Sequence, residues 1–189
     1  MPDRTHDFGL YGARGERGSQ AAARVLDSLA GGITSPVTSR RGLTARLRYL
    51  TRSPAGRHAM REAGLTITPR TLRAWLGGKQ RPNRNNLEKI DTAYRTLRRR
   101  NVAGHLLRRL NANGGTRVEI HPLDQSRVPD PRQRVLEYRR FNIRAWDAII
   151  DAWARNDPRA LDDAWIDQII NLGSQWGKYE YVTSVGFAA

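Results

Sequence analysis

The chain has no cysteine, so disulfides and thiolate metal sites are excluded, and a reducing compartment suits it. No run approaches the roughly 18 apolar residues of a membrane-spanning helix, and the N-terminus has no apolar signal core. A soluble cytoplasmic protein with no membrane partner is expected. Lysine is nearly missing: of 33 basic residues only Lys79, Lys89 and Lys178 are lysines, a bias that a GC-rich genome also produces. No P-loop, nucleophile elbow or dinucleotide fingerprint occurs, and the glycine-rich residues 12–18 follow no strand. His6, His58, His105 and His121 stand in separate contexts, without a second ligand at metal spacing. Asp147, Asp151, Asp162, Asp163 and Asp167 fall opposite an aromatic stripe and read as a solvated face. No catalytic residue, metal or cofactor is therefore expected.

Acid is scarce in one place. Residues 40–110 carry 19 basic residues against three acids (Glu62, Glu88 and Asp91), a net of +16. Residues 1–39 have four of each sign, and residues 111–189 have ten basic against eleven acidic. The formal charge of +15 on 189 residues thus belongs to one segment. Such asymmetry is the footprint of a polyanion-binding module, and nucleic acid is the expected partner.

Caps and periodicity divide the chain into three parts. Residues 1–40 read as a flexible N-terminal arm with one short helix, residues 20–30, capped by Ser19; residues 33–41 read as linker. Residues 41–110 form the basic domain. Leu43, Leu47 and Leu50 share a stripe, and Ser53-Pro54 starts a second helix with Ala55, Ala59 and Met60 as its packing edge. Gly64 ends that helix, Ile67 plugs the turn, and Thr68-Pro69 opens another. In this short helix Leu72, Trp75 and Leu76 lie on one face at i, i+3, i+4, with Gly77-Gly78 as the stop. Asn85 or Asn86 then caps a long helix over residues 87–110.

Residues 111–189 form a helical C-terminal domain with short strands. A break at residues 111–115 leads to a strand at 117–121 and a loop at 122–130. A helix is expected from Asp130-Pro131 to Asn156, with Val135, Tyr138, Phe141, Ala145, Ile149 and Trp153 inward. Another starts at Asp157-Pro158, and residues 179–187 read as a strand pairing with 117–121. Trp146, Trp153, Trp165 and Trp176 suit a core or a dimer interface, and a homodimer is expected. The fold class is mainly α: a helix-turn-helix DNA-binding domain, then a small α+β, mostly helical domain.

In a helix-turn-helix the first residues of the second helix reach base edges in the major groove. Arg70, Thr71 and Arg73 are therefore the candidate base contacts, because arginine pairs bidentately with guanine and the threonine methyl meets thymine. Arg46, Arg48, Arg52, Arg57, Lys79, Arg81 and Arg84 are candidate backbone contacts, joined by Arg98, Arg99 and Arg100 on the flank of the long helix. The connection from Gly64 to Leu72 is about two residues longer than in the compact motif. An ordinary amphipathic surface helix is the other reading of the Thr68 stretch.

The order LRYLTRSPAGRHAM, PRTLRAW, GGTRVEI and YEYVTSVGF resembles the telomere terminal proteins of linear actinobacterial replicons, over residues 43–189. The resemblance implies a protein that binds DNA 5′ ends, is joined to them covalently and primes end-patching synthesis. It implies a DNA polymerase and a telomere-associated protein as partners, and a nucleoid or plasmid location. It also implies that a loop hydroxyl after the strand accepts the first nucleotide; between Pro122 and Pro131 that hydroxyl is Ser126. The residues alone leave open a dimeric helix-turn-helix transcriptional regulator and a nucleic-acid-coating structural protein.

Overall fold

The computed structural model describes residue 9 and residues 11–188. It is mainly helical, with seven α-helices and one four-stranded antiparallel sheet among the described residues. None of these helices is long and apolar enough to cross a membrane. The chain divides into two compact units: Met1–Leu29 with His105–Ala189, and Ala30–Gly104. This differs from the three-part division read from the sequence, since composition marks where charge changes and not which segments pack.

The second unit holds α2 (Arg40–Thr51), α3 (Pro54–Glu62), α4 (Pro69–Leu76) and α5 (Arg84–Asn111) as far as residue 104. α2 begins inside the expected linker because the Ser39 hydroxyl accepts the Gly42 N–H at 3.0 Å. Ser53 caps α3 and Thr68 caps α4, as the sequence indicated. The long helix starts earlier than expected, since the Asn83 side chain takes the Asn86 N–H at 2.8 Å. Leu47, Leu50, Ala59, Trp75, Ile90 and Leu97 lie in one core. Leu65 rather than Ile67 is the fully buried residue of the α3–α4 connection. Ala55 is exposed, and Gly56 takes the packing position, where an added Cβ meets the Leu50 carbonyl oxygen at 2.0 Å. Helices α2 and α3 therefore touch backbone to backbone.

The first unit contains α1 (Gly18–Ala30) up to Leu29, α6 (Asp147–Arg155), α7 (Pro158–Ile169) and the sheet. The strands are β1 (Glu16–Arg17), β2 (Thr116–Pro122), β3 (Arg139–Ile143) and β4 (Tyr181–Ala188), in the order β1-β4-β2-β3. The expected pairing of the C-terminal strand with residues 117–121 is present, with Val118 opposite Phe187. The expected arm is docked where it is described: β1 pairs with β4, and Arg14 bridges Asp124. Phe8 and Leu10 lie outside the described residues. Ser19 does not cap α1; it is buried and donates to Asp162 at 2.6 Å. Asp162 also takes Arg17, so it does not belong to a solvated acidic face.

The helix expected over residues 130–156 is overturned. Its first part is a 3-10 turn at Asp130–Arg132, residues 139–143 form β3, and only α6 is helical. Val135 is 80% exposed and Ala145 is also exposed, whereas burial along β3 alternates with period two. Phe141 and Ile143 pair with Val118 and Thr116 of β2. That register satisfies the ladder and buries one face, which outweighs the weak helical spacing. Trp146, Trp153 and Trp165 are each at most 1% exposed in the core of this unit, and the Trp176 side chain lies outside the described residues.

Candidate nucleic-acid interface

The second unit has 17 basic residues against three acids. Each acid is already engaged. Glu62 takes Arg100 at 2.7 Å and His58 at 3.4 Å, Glu88 takes Arg84 at 3.0 Å, and Asp91 takes Arg46 and Arg95 at 2.8 and 2.7 Å. Hydrogen bonding from Arg100 holds the Glu62 carboxyl below the usual range. Arg40, Arg41, Arg48, Arg52, Arg57, Arg61, Arg70, Arg73 and Lys79 are exposed and have no acidic partner among the described residues. The excess charge is thus a solvent-facing field and is not neutralised within the unit.

The α4 helix is short and strongly fixed. The Thr68 hydroxyl accepts the Thr71 N–H at 3.1 Å and lies 3.0 Å from the Thr71 hydroxyl. Pro69 occupies the first turn, where its missing N–H leaves nothing unsatisfied. Trp75 is 4% exposed and anchors the inner face, with Leu72 and Leu76 packed against the same core. The opposite edge therefore faces outward: Arg70 and Arg73 are exposed, and Thr71 is half-buried. One helical turn separates the two arginines, so their side chains leave the same edge roughly 5–6 Å apart at Cβ. The Arg73 Nε bonds the Pro69 carbonyl at 3.2 Å.

The candidate backbone contacts separate into two classes. Arg48, Arg52 and Arg57 are exposed, as are Lys79, Arg81 and Arg84. Arg81 is steadied by a 2.7 Å bond to the Thr38 carbonyl. Arg46 is removed from the set. It is 7% exposed and bonds Asp91 and the carbonyls of Ser35, Gly42 and Ile33, with Tyr94 5.2 Å beneath its guanidinium. Arg98 is half-buried and bonds the Ala30 carbonyl at 2.7 Å, Arg99 is half-buried, and Arg100 grips Glu62. The 98–100 cluster is consequently built into the fold more than it is offered to a ligand.

Arg40 and Arg41 escaped the sequence reading because residues 33–41 read as linker. They extend an outward stripe of α2 that continues through Thr44, Ala45, Arg48 and Arg52. A shallow depression lined by Arg40, Arg41, Thr44, Ala45, Arg48 and Leu76 brings the end of α4 beside this stripe. The Ser39 cap was the available signal: a serine three residues before Gly42, just ahead of an apolar period.

In the first unit, Ser126 is exposed on the β2–β3 connection. Its N–H donates to the Asp124 carboxylate at 2.9 Å and its hydroxyl bonds the same group, which holds that carboxyl below the usual range. Asp124 therefore stays ionised and orients the hydroxyl; at neutral pH it does not hold a proton.

Compared with family models, curated proteins and solved structures, the chain matches none of them.

Proposed function

We propose that residues 30–104 bind duplex DNA through a helix-turn-helix formed by α3 and α4, with Arg70, Thr71 and Arg73 at base edges. The observation that carries this reading is the unneutralised field around a rigidly capped short helix: every acid of the unit is engaged, and nine exposed cations have no acidic partner among the described residues. Arg41, Arg48, Arg52, Arg57 and Lys79 contact phosphates, which supply affinity and register without reading sequence. The six-residue connection at 63–68, longer than in the compact motif, is held by buried Leu65 and by the Lys89 ammonium, which donates to the Gly64 carbonyl at 2.9 Å.

The role we propose for the bound chain is that of a terminal protein of a linear replicon. A polymerase partner brings a deoxynucleoside triphosphate to Ser126. The Ser126 oxygen attacks the α-phosphorus, a phosphodiester to the protein forms, pyrophosphate leaves, and the hydroxyl proton passes to a base supplied by the polymerase. The ionised Asp124 orients the attacking hydroxyl. This part rests on the sequence resemblance and on the exposure of Ser126.

Two measurements test the reading. Arg70→Ala and Arg73→Ala each cost roughly 1–3 kcal/mol of duplex affinity and relax preference at particular base pairs; equal losses on every sequence reassign them to phosphates. Deoxynucleotidylation in a cognate extract labels the chain, and Ser126→Ala abolishes the label; persistence of the label in that variant removes Ser126 as the acceptor.

A further inference from the structure

Between β2 and β3 the chain runs for 16 residues, 123–138, with one 3-10 turn at Asp130–Arg132. Connections longer than about 12–15 residues without regular structure are uncommon, and those that are ordered usually serve function. This one is ordered by its own side chains. The Gln125 amide donates to the Arg134 carbonyl at 2.7 Å and accepts the Arg134 N–H at 2.8 Å, as a neighbouring strand would. Gln133 donates to the Val128 carbonyl at 2.9 Å and to the Asp130 carboxylate at 3.1 Å. Arg14 and Asp124 exchange backbone hydrogen bonds of 2.9 and 3.0 Å, which tie the segment before β1 to the loop.

The loop borders a cavity of about 290 Å³. Leu123 and Val128 give it an apolar floor, and Tyr11 and Tyr181 are its aromatic members. Arg132, Arg134 and Lys178 bring three cations to it against one carboxylate, Glu180. None of the three has an acidic partner among the described residues. The Arg132 guanidinium lies 3.9 Å from the Tyr11 ring centre. The unit that contains this cavity is otherwise almost balanced, with 16 basic and 15 acidic residues, so the convergence is local.

We propose that this cavity binds a single nucleotide, its phosphate held by Arg132, Arg134 and Lys178 and its base laid on the apolar floor beside the tyrosines. Three cations sharing a partly enclosed space repel one another, and an anionic phosphate turns that repulsion into charge-assisted hydrogen bonding. Guanidinium groups match phosphate oxygens bidentately, and a planar base suits an aromatic and apolar wall. The volume lies at the lower end of ligand pockets, about 300–1,000 Å³, which suits one nucleotide and excludes a folded peptide. The nucleotide is either free or the 5′-terminal residue of a DNA strand. The proposal is independent of the reading of residues 30–104, because no residue of that unit lines the cavity.

Calorimetric titration of the full chain tests this, with deoxyguanosine monophosphate in one arm and 5′-phosphorylated and unphosphorylated forms of a short single strand in the other. Saturable binding of the monophosphate that weakens roughly tenfold in Arg132→Ala supports a free nucleotide. Preference for the phosphorylated strand, lost in the same variant while the monophosphate gives no heat, supports a strand end. Lys178→Gln, at an ammonium that bonds nothing among the described residues, gives the same readout if Arg132→Ala fails to fold. No binding in either arm, or binding that both variants leave unchanged, overturns the proposal. Duplex affinity measured alongside stays at the wild-type value in both variants, so the two readings fail separately.

Discussion

Arg46 and Arg48 lie two residues apart on α2 in opposite settings, the first buried and paired with Asp91, the second exposed. Arg46→Ala removes a guanidinium whose side chain is 8% exposed and whose Nε bonds Asp91 at 2.8 Å. Three backbone carbonyls, those of Ile33, Ser35 and Gly42, each lose a side-chain donor at the same time. Breaking a buried pair from one side costs about 3–5 kcal/mol when the remaining charge is abandoned. Asp91 keeps Arg95 at 2.7 Å, so the lower end applies, about 3 kcal/mol. Arg48→Ala removes an exposed side chain without a partner among the described residues, and its stability stays within about 0.5 kcal/mol of wild type. Urea unfolding followed by far-ultraviolet circular dichroism reads the first quantity, and duplex affinity of the folded protein reads the second. Arg46→Ala lowers the midpoint and leaves affinity nearly unchanged. Arg48→Ala keeps the midpoint, weakens binding and reduces the salt slope by about 1. An Arg46→Ala protein of wild-type stability with weakened DNA binding would refute the assignment.

Further outcomes follow from packing, capping and charge. Gly56→Ala drives a Cβ to 2.0 Å from the Leu50 carbonyl oxygen, and thermal denaturation should show a loss at or above the upper end of overpacking costs, about 3 kcal/mol. Thr68→Ala removes the oxygen that accepts the Thr71 N–H and costs about 1 kcal/mol, while Thr68→Ser retains most of the stability. The Glu62 carboxyl is held low by Arg100, so its contribution to stability is present while it is ionised, above the ordinary glutamate value near about 4.3. That contribution disappears as pH falls through the lowered folded value; both side chains are about 40% exposed, so screening limits it to less than about 1 kcal/mol, and Glu62→Gln should flatten this part of the stability profile.

Local signals were legible in the sequence and long-range ones were not. Ser53, Thr68 and Asp157 announced their helices because a cap and a following proline act within one turn. The β2–β4 pairing was legible from alternation at residues 117–121 and the β-branched, aromatic run at 179–187. Residues 135–145 misled, since Val135, Tyr138 and Phe141 fit a helical stripe whereas Phe141 and Ile143 fit a strand. What decides between them is the pairing of Phe141 and Ile143 with β2, which no local window contains. The same limit hid the role of Arg46: its burial depends on Asp91, 45 positions later, and on carbonyls in a segment read as linker. Exposed arginines were easier to identify, because in a segment with three acids most guanidinium groups have no acidic partner among the described residues. Arg40 and Arg41 were missed because residues 33–41 read as linker, whereas α2 begins at Arg40.

The central claim is that the unneutralised cations of residues 30–104 grip the DNA backbone. The dependence of duplex affinity on salt measures this most directly, because each neutralised phosphate adds about −0.9 to the slope of log K against log salt. The account predicts a slope of roughly −5 or steeper for the full chain, shallower by about 1 in each of Arg41→Ala, Arg48→Ala and Arg52→Ala. A slope near zero, or one that these three variants leave unchanged, would contradict it.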